Sequence, residues 1–380
     1  QTTRGRANML RAAISGELPE EELYSDRFQE EVLDLCVGCK GCASDCPTGV
    51  DMAKLKAEVK HQYHDREGAS PRERLFADVE RYARLGSALA PVSNWLADLP
   101  GADWVLERGL GIAGDRTLPT FRRESLVEWF DERGPAVPAG EATERVVLFP
   151  DVYTNYSDPE IGQAAVRVLE AAGCHVRIPD DLASSGRPAY SLGFLDRASE
   201  RAEANVDALA PLVEDGWSVV FVEPSDAVMF QDEYRDLLAG EAVERVAASA
   251  HGVCEFLDVH RLDERVEWDA PDETLTYHGH CNQKAVQTDH HAVGVLRRAG
   301  YGVDPLDSGC CGMAGSFGYE AEHYDLSRAI GRILESQVAD SDGETVVAPG
   351  ASCRTQLGDG PAVEERPPHP VEKLDAALSE

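Results

Sequence analysis

Lysine is scarce in this 380-residue chain: only Lys40, Lys54, Lys56, Lys60, Lys284 and Lys373 occur, and every other basic residue is arginine. The 36 basic side chains face 69 acidic ones, for a formal net charge of −33. The acidity is dispersed, with no single acidic tail. Such a balance argues against nucleic acid as a partner, because phosphate binding needs basic stripes. Little lysine with abundant Asp and Glu is the composition expected of a halophilic protein, in which screening makes self-repulsion tolerable. An ordinary acidic cytosolic protein is the plainer alternative. No apolar run approaches the roughly 18 residues of a spanning helix, and no signal peptide is visible. Phosphate-cradling loops and Ser-His-Asp arrangements are also missing. Gly109, Gly111 and Gly114 spell a dinucleotide fingerprint, but after a helical stretch, not a strand. A cytoplasmic protein follows as the expectation. The chain opens on Gln1, so it is expected to be the downstream part of something longer.

Cysteine, by contrast, is plentiful and clustered. Cys36, Cys39, Cys42 and Cys46 lie in the order C-x2-C-x2-C-x3-C, with Pro47 after the last. This is the ligand spacing of a bacterial-ferredoxin [4Fe–4S] cluster. Gly38 and Gly41 are expected to permit the tight loop. A zinc knuckle is the competing reading, but zinc sites usually set two cysteine pairs apart by a longer spacer. Clustered thiols of this kind suit a reducing compartment.

The pattern around the cysteines sets the organisation. Arg4 to Ile14 and Ser25 to Leu35 read as helices, and Asp51 caps a helix running to about His64. Residues 1–68 are therefore expected to form an alpha-helical ferredoxin-like domain. Residues 69–144 read as a helical connector and linker, in which Leu75, Val79, Tyr82 and Leu85 recur at helical spacing and are expected to pack. Strands and helices then alternate twice, over 145–265 and 270–380, which predicts a duplicated α/β unit with mostly parallel sheets. The fold class expected is α followed by α/β.

A second set, Cys281, Cys310-Cys311-Gly312 and Cys353, falls in the last unit. Cys281 and Cys353 follow its first and last strands, and loops after parallel strands converge at one sheet edge. The four sulfurs are expected to meet and hold an iron–sulfur cluster or zinc. In the earlier unit Val152, Ser184-Ser185-Gly186 and Ser225-Asp226 occupy the corresponding positions, so that half is expected to bind no thiolate-held cluster and to enclose the second site. Cys174 and Cys254 read as small core residues. His278 and His280 flank Cys281, either as sulfur or proton partners or as surface or structural residues. His323, on a helix after the CCG loop, has no assigned role.

These residues resemble a known family. Thr3-Arg4-Gly5-Arg6-Ala7, the Cys36–Cys46 run and Val50 to Glu58 resemble the iron–sulfur portion of FAD-linked oxidases of the D-lactate and D-2-hydroxyacid dehydrogenase type. The paired α/β units resemble the cysteine-rich CCG domains of those oxidases and of glycolate oxidase iron–sulfur subunits. They are similar, too, to the CCG domains in the iron–sulfur subunit of anaerobic glycerol-3-phosphate dehydrogenase and in heterodisulfide reductase. The resemblance implies an electron-transfer module that is not catalytic on its own. FAD would sit on an upstream domain or partner dehydrogenase. Electrons would leave through the ferredoxin cluster and the CCG site towards a quinone or membrane-anchored acceptor, with the protein at the inner face of the membrane. The resemblance also implies that Cys46 serves a neighbouring cluster, as the cysteine before proline does in two-cluster ferredoxins. One departure concerns the CCG repeat, which ends in Gly350-x-x-Cys353 where fuller versions have Cys-x-x-Cys. Four thiols are then available, not five. A non-catalytic scaffold holding structural zinc is the alternative of another class.

Overall fold

Helices and two all-parallel sheets make up the computed structural model, which describes residues 2–379. Strands β1 (Glu144–Leu148), β2 (Cys174–Arg177), β3 (Trp217–Phe221) and β4 (Ala250–Gly252) lie in the order β2-β1-β3-β4. Strands β5 (Thr274–Tyr277), β6 (Gly302–Pro305) and β7 (Thr345–Val347) lie in the order β6-β5-β7. In both sheets the first strand takes two partners: Val146 pairs with Val176 and Ser218, and Leu275 with Val303 and Thr345. The expected combination of helices with parallel sheets is present. Strands β4 and β6 are additions. Each has little apolar character (Ala-His-Gly and Gly-Val-Asp-Pro), and Pro305 is tolerated because β6 is an edge strand.

The run Val146-Val147-Leu148-Phe149 is apolar throughout because both faces of its sheet are covered. Val146 and Leu148 enter one core, Val147 and Phe149 the other, as the two-residue period of a strand requires. The first core is common to both lobes. Helix Pro159–Ala171 packs on helix Pro370–Ala376, and Leu275, Tyr277, Leu296 and Val371 join the same cluster. Cys174 and Cys254 lie in it, as the packing reading expects, and burial pushes both thiols up to about 12.

Nearer the amino end, helix Thr3–Ile14 and helix Met52–Glu67 flank a small core of Leu10, Phe28, Val32, Leu33 and Met52. The helix expected over 25–35 is a short turn, Asp26–Phe28, continued by a π-helical turn, Gln29–Leu33. Asp51 caps the later helix, its Oδ1 accepting from the Ala53 and Lys54 amides at 2.8 and 3.3 Å.

The connector departs from expectation. In helix Val79–Ala88 the residues turned inward are Ala83, Gly86 and Ser87, and a Cβ on Gly86 would stand 2.5 Å from the Phe121 ring. Tyr82 and Leu85, expected to pack, occupy the opposite face and are exposed by 47% and 57%. Helices Val92–Ala97 and Ala102–Leu110 continue this apolar surface with Trp95, Leu96, Trp104 and Val105. Among the described residues no helix is long and apolar enough to cross a membrane.

Arg72 ties the connector to the last lobe. It donates to Gly111 O and to Glu322 Oε2, both at 2.9 Å, and lies 3.9 Å from Glu320. Burial alone would raise the Glu320 carboxyl. The bond to His323 Nδ1 at 2.8 Å and the Arg72 charge outweigh it and hold the group at about 2. His323 thus belongs to a 3-10 turn, Ala321–His323, ahead of helix Tyr324–Ala339. A depressed carboxyl stabilises the fold fully above its unfolded value of about 4.3, and the contribution is lost as pH falls towards 2. Denaturant titrations between pH 6 and 2.5 should therefore show a shallower acid loss for Glu320→Gln than for the unaltered chain. Equal slopes would remove this clamp from the account.

Candidate functional site

The first cysteine loop begins where the π-helical turn ends, with Cys36 N bonded to Leu33 O at 2.9 Å. Positive φ falls on Gly38 (71°) and Lys40 (58°), not on Gly41 as the sequence suggests. Cys36, Cys39 and Cys42 line a cavity of about 430 Å³ together with Arg6, Val37 and Met52, and Leu326 and Ile330 of helix Tyr324–Ala339 also line it. The Met52 amide donates to Cys42 Sγ at 3.3 Å. Cys46 is not part of that lining. Its sulfur lies 3.2 Å from Thr48 Oγ1, and the hydrogen bonds of Thr48 and the Val50 backbone hold the thiol down at about 7.

The CCG set is assembled by the β5–β7 sheet. Cys281 opens the short helix Cys281–Ala285 after β5, Cys310 and Cys311 sit in the loop after β6, and Cys353 lies in helix Ala351–Gly358 after β7. All four thiols are brought together. Cys310 neighbours Cys281 and Cys311, and Cys311 in turn neighbours Cys353. Taking hydrogen bonds from Cys310 and Cys353, with the His278 ring nearby, Cys311 is held well below the ordinary thiol range. Two glycines are needed by close approach. A Cβ on Gly312 would lie 2.6 Å from Ser327 O, and one on Gly350 would lie 2.5 Å from the His280 ring and 3.4 Å from Cys353 Sγ.

The two constellations touch. Cys310 also hydrogen-bonds to Cys39, which lowers the Cys39 thiol to about 6, and helix Cys281–Ala285 packs on the short helix Gly41–Asp45 of the first loop. In the sequence the two sets read as separate. The lysines, too, carry more than the sequence reading assigns them. Lys56 Nζ donates to Cys36 O at 2.9 Å, Lys60 pairs with Asp34 at 3.0 Å, and Lys284 donates to Ser308 O at 2.6 Å beside the CCG loop. In so lysine-poor a chain, four lysines between 40 and 60 are the available signal.

His278 and His280 are both buried, which excludes a surface role. His278 Nδ1 is 2.7 Å from Ser308 Oγ, while its Nε2 finds no hydrogen-bond partner. His280 Nδ1 accepts from the Asn282 amide at 3.3 Å, and burial holds its imidazole below the ordinary value.

In the earlier lobe other side chains stand after the strands. Asp151 caps helix Val152–Tyr156 after β1, as His280 caps Cys281–Ala285, and Val152 stands where Cys281 does. Ser185 Oγ donates to Asp226 and accepts from the Arg187 amide at 3.2 Å. Burial, and the charges of Asp151 and Glu223, push the Asp226 carboxyl well up. Glu223 reaches the other lobe, its Oε2 accepting from the Ala351 amide at 2.9 Å.

A thiol carries one proton and can serve one acceptor at a time. Cys310 lies within reach of three other sulfurs, so protons alone cannot satisfy the group, whereas a soft cationic centre suits it. Among the described residues no three His, Cys, Asp or Glu side chains surround a single metal-ion position. The first loop instead opens on a cavity with room for a larger group. The residues present thus fit an iron–sulfur cluster better than one zinc ion.

Residues 275–358 match the CCG family, a cysteine-rich domain. That span contains Cys281, Cys310, Cys311 and Cys353. The resemblance drawn from the residues also extends over most of the chain. The chain is 26% identical to D-2-hydroxyglutarate dehydrogenase of Escherichia coli over 91% of its length, but spans only 34% of that relative. It is 26% identical to a subunit of the anaerobic glycerol-3-phosphate dehydrogenase of the same organism, over 88% of this chain and 83% of the relative. With the glycolate oxidase iron-sulfur subunit of Escherichia coli, identity is 25% over 99% and 88% of the two chains.

Thiol reactivity follows from this placement. In reduced, metal-free protein, iodoacetamide should label Cys46 first, at a rate rising through about pH 7. Cys174 and Cys254 should react only on unfolding. Time-resolved peptide mass spectrometry reads the order, and early labelling of Cys254 would contradict the packing described.

Proposed function

We propose that the chain is the iron–sulfur electron-transfer module of a flavin-linked 2-hydroxyacid dehydrogenase, of the D-lactate, D-2-hydroxyglutarate or glycolate kind. The observation that carries the reading is the packing of helix Cys281–Ala285 on helix Gly41–Asp45, which sets Cys39 beside Cys310 and so brings the two cysteine constellations together. Residues 1–68 would be an alpha-helical ferredoxin-like domain, and 145–265 and 270–380 a duplicated pair, of which the second keeps its thiols. The matching strand orders and helix-opening positions support the duplication.

In this reading Cys36, Cys39, Cys42 and Cys46 hold a [4Fe–4S] cluster, with service to a neighbouring cluster as the alternative for Cys46, and Cys281, Cys310, Cys311 and Cys353 hold a second iron–sulfur centre. Bound clusters of this type accept and pass on single electrons. The chain's own part is to place the two sites against each other and to tune them. The Met52 and Gly312 amides donate to Cys42 and Cys310 sulfurs, each at 3.3 Å, and such bonds favour added negative charge on sulfur. Burial of Cys311 and Cys353 keeps water from the second site. Electrons would arrive from a flavin on an upstream domain or partner and leave to an acceptor such as a quinone, with the module at the inner face of the membrane. Cys46 is not among the residues that line the first cavity, which suits the alternative of service to a neighbouring centre.

A second reading, a separate subunit like that of glycerol-3-phosphate or glycolate dehydrogenase, is favoured by the share of those relatives that the chain spans, 83% and 88%. Both readings give the same expectations for the isolated chain. Prepared without oxygen, it should contain iron and acid-labile sulfide. Cys36→Ser and Cys310→Ser should each remove roughly half of the iron, through different spectral components. No 2-hydroxyacid should be oxidised with an artificial dye. Zinc without sulfide would favour the structural-metal scaffold, and dye-linked turnover by the chain alone would reject the module.

A further inference from the structure

Lys40 stands between Cys39 and Gly41 in the first cysteine loop, with a left-handed backbone that places its side chain away from solvent, 3% exposed. Its ammonium meets three carboxylates: Asp51 Oδ2 at 2.8 Å, Asp232 Oδ2 at 2.9 Å and Glu233 Oε1 at 2.7 Å. Asp51 belongs to the cap of the helix that leaves the loop. The other two lie at the end of a π-helical turn, Met229–Glu233, in the first α/β lobe. Glu233 is equally buried and is gripped from the far side by Arg187, at 3.0 and 2.6 Å, while Arg187 Nε donates to Ser225 O at 3.0 Å. Lys54 closes the group with bonds to Asp232 at 2.8 Å and Asp236 at 2.6 Å.

The position of this group in its lobe is informative. Arg187 directly follows Ser184-Ser185-Gly186, and Ser225 precedes Asp226. These are the segments that stand where the last lobe carries Cys310-Cys311-Gly312 and Ser352-Cys353. We infer that the segments following the strands of the first lobe, having no thiols there, form an ion-pair socket that seats the first cysteine loop through Lys40 and so holds Cys39 against Cys310. The inference rests on the proposed function only in taking the two cysteine sets as redox centres. The seating itself is a property of the polypeptide. Lys40 and Glu233 are positioning residues. A buried charge left without its partner is strongly unfavourable, so the loop stays seated while both ends of the pair are present. Asp51 alone could not dock the loop, because it belongs to the same segment.

The seating can be tested without any cluster. Reduced, metal-free full-length chain is treated with diamide. Cys39 and Cys310 each give up a proton and an electron and form one disulfide, while the diazene is reduced to the hydrazine. Peptide mapping should find Cys39–Cys310 as the principal link between the two cysteine segments. Lys40→Met and Glu233→Gln should each lower its yield about tenfold, and Lys40→Arg, which keeps the charge, should restore at least half. Circular dichroism and protection of Cys254 from alkylation check that each variant folds, and one folded variant of the first two suffices for the comparison. A yield within twofold of the unaltered chain in Lys40→Met, or no recovery in Lys40→Arg, would overturn the inference.

Iron-loaded protein supplies a second readout. Lys40→Met removes a buried positive charge beside the first centre and should make its midpoint potential more negative, while Glu233→Gln should make it more positive. A loosened loop without this electrostatic contact would move both in one direction and would likewise count against the socket. Iron-free wild-type preparations would defeat the reading of the cysteines as redox centres and leave the cross-linking result to decide the seating.

Discussion

A parallel strand can hand its chain on only at its carboxyl end, so every loop that follows a strand in such a sheet arrives at the same edge. Most of what is distinctive in this protein depends on that constraint. In the β5–β7 sheet it gathers Cys281, the Cys310-Cys311 pair and Cys353, whose positions in the chain are otherwise unrelated. In the β1–β4 sheet the same geometry gathers Asp151, Ser185 and Asp226 instead. The amino-terminal loop then needs only one contact surface to stand beside the thiols, and the sheets supply it before any cofactor is considered.

Charge chemistry divides the labour between the two basic residue types. Arginine makes the two-pronged pairs that join segments: Arg133 with Glu170 and Arg167 with Asp375. A planar fork matches one carboxylate well, and it tolerates partial exposure. An ammonium is compact and can be surrounded, as that of Lys40 is by three carboxylates.

The parts of the fold visible in the sequence are those with a local signature. The cysteine spacing, the Asp51 cap, the apolar run Val146 to Phe149 and the helix over 159–171 each depend on a few adjacent residues. The correspondence of Val152 with Cys281 was also legible, since both follow a strand and open a short helix. Strand β6 was not, because an edge position asks little apolar character of it. Tyr82 and Leu85 show the limit of periodicity: a helix can have two faces worth burying, and here the smaller side chains won because Phe121 fits only over Gly86. Contacts between distant segments, Cys39 with Cys310 and Lys40 with Glu233, have no signature in spacing at all. They arise from the packing of whole lobes.

The separation along the chain has a further meaning for biosynthesis. Lys40 and Glu233 are 193 residues apart, and Arg72 and Glu322 are 250 apart. At a translation rate of about 5–20 residues per second, the first cysteine loop leaves the ribosome roughly 10–40 s before its socket has been made. Throughout that interval Cys36, Cys39, Cys42 and Cys46 belong to a nascent segment whose socket is still missing. The loop cannot be seated through Lys40 until the first α/β lobe has followed it out of the ribosome.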